Sequence, residues 1–158
     1  MVWFYYMEGQ PKVLIIEDDE FLSSLVKARL EKEGYEVRRV FDGLEAFELL
    51  REYTPDMIIL DLIMPRMSGF ELLEAISVDA QLNRIPVVTL TNLGQEEDIQ
   101  KAKTLGVREY FIKARTSIDE IVKTVKNIVP LTVSAPATPV APSGDAPPPI
   151  PPAATQIS

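Results

Sequence analysis

The chain reads as an α/β fold: a five-stranded parallel sheet, doubly wound, in the order 2-1-3-4-5. Three features lead there. Five short apolar runs alternate with five stretches whose apolar residues recur on a helical period. Gly or Pro punctuates the junctions, at Gly34, Pro55, Pro86, Gly106 and Pro130. The runs are apolar without alternation, as strands are when helices cover both faces of a parallel sheet.

Each element has its own grounds. Lys12–Glu17 contains Val13-Leu14-Ile15-Ile16, the first strand. Glu20–Glu33 places Phe21, Leu22, Leu25, Val26 and Leu30 on a helical period, with Asp19 as cap and Gly34 as the terminating residue. Tyr35–Val40 is the second strand and Gly43–Glu52 the second helix. Pro55 precedes Met57-Ile58-Ile59-Leu60, the third strand. Ser68–Val78 is helical, with Ser68 and Glu71 at capping-box spacing. Pro86 introduces Val87-Val88-Thr89-Leu90, the fourth strand. Gln95–Thr104 is a helix closed by Gly106, and Arg108–Ile112 is the fifth strand. The last helix spans Thr116–Val129, with Thr116 or Ser117 as cap and Glu120 behind it. Right-handed crossovers then give a flavodoxin-like (βα)5 three-layer sandwich. Its ligand crevice lies at the carboxyl ends of strands 1 and 3, where the strand order reverses.

Residues 11–129 form this domain. Residues 1–10 read as a poorly ordered extension: Val2-Trp3-Phe4-Tyr5-Tyr6-Met7 is apolar, but too short to span a bilayer and without a basic flank. Residues 130–158 hold nine of the 13 prolines, one acid and no base. Such a composition buries too little apolar area to offset its ordering entropy, and the segment reads as a disordered, partly polyproline-II tail. Pro147-Pro148-Pro149-Ile150-Pro151-Pro152 has the stiffness that proline-reading modules recognise.

The net charge of −8 argues against direct nucleic-acid binding, which needs Lys/Arg stripes. No Cys is present, so disulfides and thiolate metal sites are excluded; no His is present either, which removes the usual general base and zinc ligand. Chemistry must therefore run on carboxylates, hydroxyls and Lys. The strand ends supply these groups: Glu17-Asp18-Asp19 after strand 1, Asp61 after strand 3, Thr91 after strand 4 and Lys113 after strand 5. Carboxylates converging in one crevice repel each other unless a cation neutralises them. Hard oxygen ligands with open positions suit Mg²⁺. A carboxylate such as Asp61 can attack phosphorus without losing a proton, giving an acyl phosphate. The metal, Lys113 and the Thr91 hydroxyl would spread over the transferring oxygens. Asp18 and Asp19 have a plainer reading as caps of the first helix, and for Asp19 that reading is preferred.

Ile15-Ile16-Glu17-Asp18-Asp19, Asp61-Leu62-Ile63-Met64-Pro65-Arg66-Met67-Ser68-Gly69, Leu90-Thr91 and Tyr110-Phe111-Ile112-Lys113 together resemble the receiver domain of bacterial two-component response regulators. The resemblance runs from Pro11 to Val129 and implies a CheY-like, single-domain regulator. It implies Asp61 as phosphoacceptor. Glu17, Asp18, Asp61 and the backbone carbonyl of Ile63 are implied as Mg²⁺ ligands, and Thr91 and Lys113 as phosphoryl-oxygen ligands. Thr91 and Tyr110 are implied as the switch pair. The implied partners are a sensor histidine kinase or phosphotransfer protein and a downstream protein target, met through the face of helix 4, strand 5 and helix 5. The implied setting is cytoplasmic, without membrane or direct nucleic-acid contact, as a monomer or a phosphorylation-dependent homodimer. The chain itself is expected not to be an enzyme.

Three positions depart from the family pattern. Asn92 stands where a small residue is usual and is expected to crowd the phosphate. Ile63 is apolar and is expected to shield an acyl phosphate from water. Ala114 stands where a cis proline is usual; a non-Pro cis bond costs about 2.5–4 kcal/mol, so a trans bond and a rearranged loop are expected. Asn92 and Ala114 also support an alternative: a pseudo-receiver acting as a phosphorylation-independent interaction module. A phosphatase of the haloacid-dehalogenase type needs a second acid where Ile63 stands. A dinucleotide enzyme needs a Gly-rich loop where the acids of strand 1 stand.

Overall fold

The structure, a computed structural model, describes residues 9–131. The expected extension at 1–10 and tail at 130–158 therefore lie almost wholly outside the described residues. The elements run β1 (Lys12–Ile16), α1 (Glu20–Glu33), β2 (Glu36–Val40), α2 (Gly43–Leu49), β3 (Met57–Leu60), α3 (Gly69–Val78), β4 (Val87–Thr91), α4 (Glu96–Thr104), β5 (Glu109–Ile112) and α5 (Ile118–Ile128). All strand pairs are parallel and the order is β2-β1-β3-β4-β5, as expected. Val13 lies opposite both Val37 and Met57, so β1 and β3 are neighbours and their carboxyl ends meet.

Strand alternation sorts the core into two layers. Leu14, Ile16, Ile58, Leu60 and Val87 pack with Ala46, Leu72, Leu73, Ile76 and Ala102, beneath α2, α3 and α4. Val13, Ile15, Met57, Ile59, Val88 and Leu90 pack with Val26, Leu30, Ile121, Val122 and Val125, beneath α1 and α5. The central strands are buried on both faces, whereas β2 and β5 are partly exposed, because an edge strand has a neighbour on one side only.

The helix ends follow the sequence closely. Asp19 caps α1, accepting from Leu22 N at 2.9 Å. Gly34 ends it at φ 112°, a left-handed conformation that other residues avoid. Ser68–Glu71 forms a capping box on α3. Ser117–Glu120 forms one on α5, which settles the choice between Thr116 and Ser117; Thr116 Oγ1 instead donates to Ile112 O at 2.9 Å.

Two expectations need correction. The apolar arc of α1 was drawn too wide: Phe21 is 74% exposed and Leu25 is 40% exposed. The stripe Ser23–Val26–Leu30 is buried and Leu22 packs half-buried beside it, since a helix lying flat buries one narrow face. Tyr35 is not part of β2. Its N–H donates to Leu30 O at 3.2 Å, closing α1, and its buried ring sends the hydroxyl to Val129 O at 2.7 Å.

Candidate functional site

Glu17 directly follows β1 and Asp61 directly follows β3. The parallel pairing of those strands therefore fixes both carboxylates at one rim. Both are buried, 3% and 4% exposed, while Asp18 beside them is exposed. Carboxylate oxygens of Glu17, Asp18 and Asp61 lie within 4.8 Å of one another. Asp19 lines the same crevice but spends its side chain on the α1 cap, as its preferred reading held.

Lys113, the first residue after β5, reaches into this rim. Its Nζ donates to Asp61 Oδ2 at 2.8 Å and to Glu17 Oε1 at 2.9 Å. Asp61 Oδ1 accepts from Ile63 N at 3.1 Å, and Glu17 Oε1 from Asp19 N at 3.1 Å. Glu17 Oε2 has no well-directed donor, although Lys113 Nζ is only 2.7 Å away. A lysine this close would normally lower a carboxyl's pKa. Burial outweighs it and pushes Glu17 up to about 7, with the Asp61 charge adding to the rise and the Lys113 and Asp19 hydrogen bonds opposing it. For Lys113 burial is the largest single influence and acts downward, but hydrogen bonds to two carboxylates together lift its pKa above the ordinary value.

Three acids against one ammonium leave the crevice with excess negative charge. Hard carboxylate ligands grouped beside an open mouth, outnumbering the one ammonium among them, fit a small divalent cation. Glu17, Asp18 and Asp61 are the residues able to hold it, and Ile63, whose backbone N–H bonds to Asp61, lines the same mouth.

Of the other expected residues, Asn92 and Ile63 line the crevice, and the Ile63 side chain is 53% exposed. Thr91 is fully buried and is not among the lining residues; its Oγ1 accepts from Leu93 N at 3.4 Å. Tyr110 is half-buried and donates its hydroxyl to Leu93 O at 3.0 Å, so both members of the expected switch pair bond to the same residue. Burial pushes the Tyr110 phenol up to about 12, with Asp98 and Asp61 adding to the shift. The Lys113–Ala114 peptide is trans, as expected without proline, and opens a 3₁₀ turn over Lys113–Arg115.

Sequence reasoning missed Asp42 and Arg66, a buried carboxylate and its guanidinium partner beside the loop after β3. Asp42-Gly43 had the look of an ordinary helix start. Its burial is set by contacts with a loop far away in sequence, which no local pattern reports.

Residues 13–126 match the family model described as the response regulator receiver domain. The polar-differentiation response regulator DivK of Brucella anthropi is 34% identical over 115 residues, which are 73% of this chain and 93% of DivK. The chemotaxis protein CheY4 of Vibrio cholerae shares the fold with a TM-score of 0.70 at 30% identity, covering 77% of this chain and 100% of that one. The Mn²⁺-bound form of the response regulator Rcp1 matches with a TM-score of 0.67 at 32% identity, covering 80% and 99%. Strand order, the acids at the β1/β3 reversal and the extent of these matches agree: the chain belongs to the response regulator receiver domain family.

Proposed function

We propose that this receiver takes a phosphoryl group onto Asp61 from a histidine kinase or phosphotransfer protein, with Mg²⁺ held by Glu17, Asp18, Asp61 and the Ile63 carbonyl. The observation that carries it is the buried Asp61 carboxylate, 2.8 Å from a lysine that it shares with Glu17. In the transfer, an Asp61 oxygen forms a bond to phosphorus as the bond to the donor's imidazole nitrogen breaks. That nitrogen leaves with the electron pair, and an acyl phosphate results. Bound Mg²⁺ supplies positive charge to the phosphoryl oxygens. Lys113 moves from Asp61 Oδ2 to one of those oxygens, exchanging one anionic partner for another. Thr91 turns its hydroxyl from Leu93 N toward the phosphate, which disturbs the residue that also holds Tyr110. The α4–β5–α5 face then presents a changed surface to a downstream protein, as the phosphate draws the ensemble toward the arrangement that binds it better.

The chain serves here as a phosphoryl acceptor rather than as an enzyme acting on other molecules. Among the described residues no helix is long and apolar enough to cross a membrane, and action in the cytoplasm is part of the proposal. Rcp1 in its Mn²⁺-bound form supports the metal reading by likeness. The test is incubation with acetyl phosphate and Mg²⁺ followed by intact mass measurement. Wild type gains one phosphoryl group and Asp61→Asn gains none; equal labelling of the two would defeat the assignment. Asn92 at the crevice wall favours a second reading, a pseudo-receiver that signals without phosphate. An unlabelled wild type that still binds Mg²⁺ would point there.

A further inference from the structure

Among the described residues three acids are buried: Glu17, Asp61 and Asp42. The first two form the crevice. Asp42, 6% exposed in its side chain, has no place in the chemistry described so far. As the cap of α2 its Oδ1 accepts from Glu45 N at 2.9 Å, which occupies one oxygen. The other, Oδ2, accepts from the guanidinium of Arg66. Burying a carboxylate for a helix cap alone is needless, because most caps sit in water.

Arg66 is unusual in its own right. Its φ of 67° is the one positive value at a non-Gly position among the described residues. Met67 N donates to Pro65 O at 2.9 Å across it. A bond from i+2 back to i around a residue with positive φ is the strained form of the γ-turn, and such strain persists only where surrounding contacts hold it. Those contacts are present. A Cβ on Gly43, next to Asp42, would collide with the Met67 carbonyl oxygen, so α2 and the loop touch through backbone. A Cβ on Gly69 would collide with the Asp61 carbonyl oxygen, and Gly69 N donates to Leu62 O at 3.1 Å. The β3–α3 loop is thus fixed at both ends, and Ile63 to Arg66 is the stretch between. Met64 packs against the core on that stretch, and the Asp42–Arg66 ion pair is its charged side-chain tie.

We propose that Asp42 and Arg66 are positioning residues for the metal site: their ion pair latches the β3–α3 loop so that the Ile63 carbonyl stands where the divalent cation needs it. The inference rests on the proposed Mg²⁺ reading of the crevice. A ligand on an unlatched loop must be ordered each time the cation binds, and that ordering weakens affinity.

The test is Mg²⁺ titration calorimetry on the full chain, paired with urea unfolding and amide hydrogen exchange of the metal-free protein. Asp42→Asn keeps a cap acceptor for Glu45 N but loses the charge partner. Arg66→Gly loses the guanidinium and relieves the positive φ, so the fold stands. Each is expected to bind Mg²⁺ about tenfold more weakly, with faster exchange at Ile63, Met64 and Met67. The double variant is expected to be no weaker than either single one, and Arg66→Lys to recover most of the affinity. Wild type and variants with equal affinity would overturn the latch and leave the metal reading intact. A wild type that binds no Mg²⁺ would overturn the metal reading and the latch with it. A loss in Asp42→Asn that Arg66→Gly does not share would assign the effect to the Asp42 charge without Arg66 and also overturn the latch.

Discussion

Lys113 is the residue on which the metal-free crevice depends. Its ammonium holds Glu17 and Asp61 together at 2.7–2.9 Å, and without it two buried carboxylates would face each other unpaired. Lys113→Ala is expected to cost about 3 kcal/mol in urea unfolding at pH 8 without metal. The cost shrinks at pH 6, and the sign follows from Glu17. Its carboxyl is raised to about 7 in the fold, so at pH 6 it is mostly neutral and needs no counter-charge, while at pH 8 it is ionised. Millimolar Mg²⁺ is expected to restore part of the loss at pH 8, since a ligand of the folded state stabilises it by mass action. An equal cost at both pH values would show that Lys113 does not act through the Glu17 charge. Ile63 illustrates a different use of a side chain. Its backbone N–H orients Asp61 at 3.1 Å while its apolar side chain stands 53% exposed at the crevice mouth, where a partner or an acyl phosphate would meet it.

The helix ends contribute to the acid stability. In α3 and α5 the Glu71 and Glu120 carboxylates accept from the backbone N–H groups of Ser68 and Ser117 at 2.8 and 2.7 Å. Those bonds hold both carboxyls below the usual range, as the Lys126 and Arg29 contacts do for Glu33 on α1. A carboxyl with a lowered folded pKa contributes stability above its unfolded value of about 4.3, and that contribution is lost as pH falls through the folded value. The pair Glu71→Gln and Glu120→Gln is therefore expected to lose less stability than wild type between pH 7 and pH 4, read as urea midpoints. A parallel loss in both proteins would sink this account. Ser117→Ala, which removes the α5 cap oxygen, is expected to cost about 1 kcal/mol in the same assay at pH 7. That helix also carries Lys126, which with Arg29 and Asp119 bridges α5 to α1 through Glu33, so fraying at its start spreads to the α1 contact.

For the molecule as a whole, the reversal of strand order at β1 and β3 matters most, because it opens the rim where the acids meet. Transmission from that rim is proposed to run through Thr91, Leu93 and Tyr110, which share backbone bonds at 3.4 and 3.0 Å. Tyr110→Ala is expected to take the acetyl-phosphate label as wild type does. It is also expected to lose the label-dependent change in hydrogen exchange across Glu96–Thr104 and Glu109–Ile112. A full exchange response in Tyr110→Ala would remove the tyrosine from the switch. Much of this was visible along the chain. The apolar runs, Gly34, Ser68-Glu71 and Ser117-Glu120 gave the elements and their ends, because caps and periodicity act between residues a few positions apart. The order of strands was expected from five βα units with right-handed crossovers, and that order brings Glu17, Asp61 and Lys113, each just past a strand, to one rim. The tertiary structure alone decided that Phe21 faces out, that Tyr35 bonds to Val129 and that Asp42 is buried against Arg66. The reason is physical: periodicity says which side chains share a face, but burial and strain depend on what another segment, distant in sequence, brings against that face.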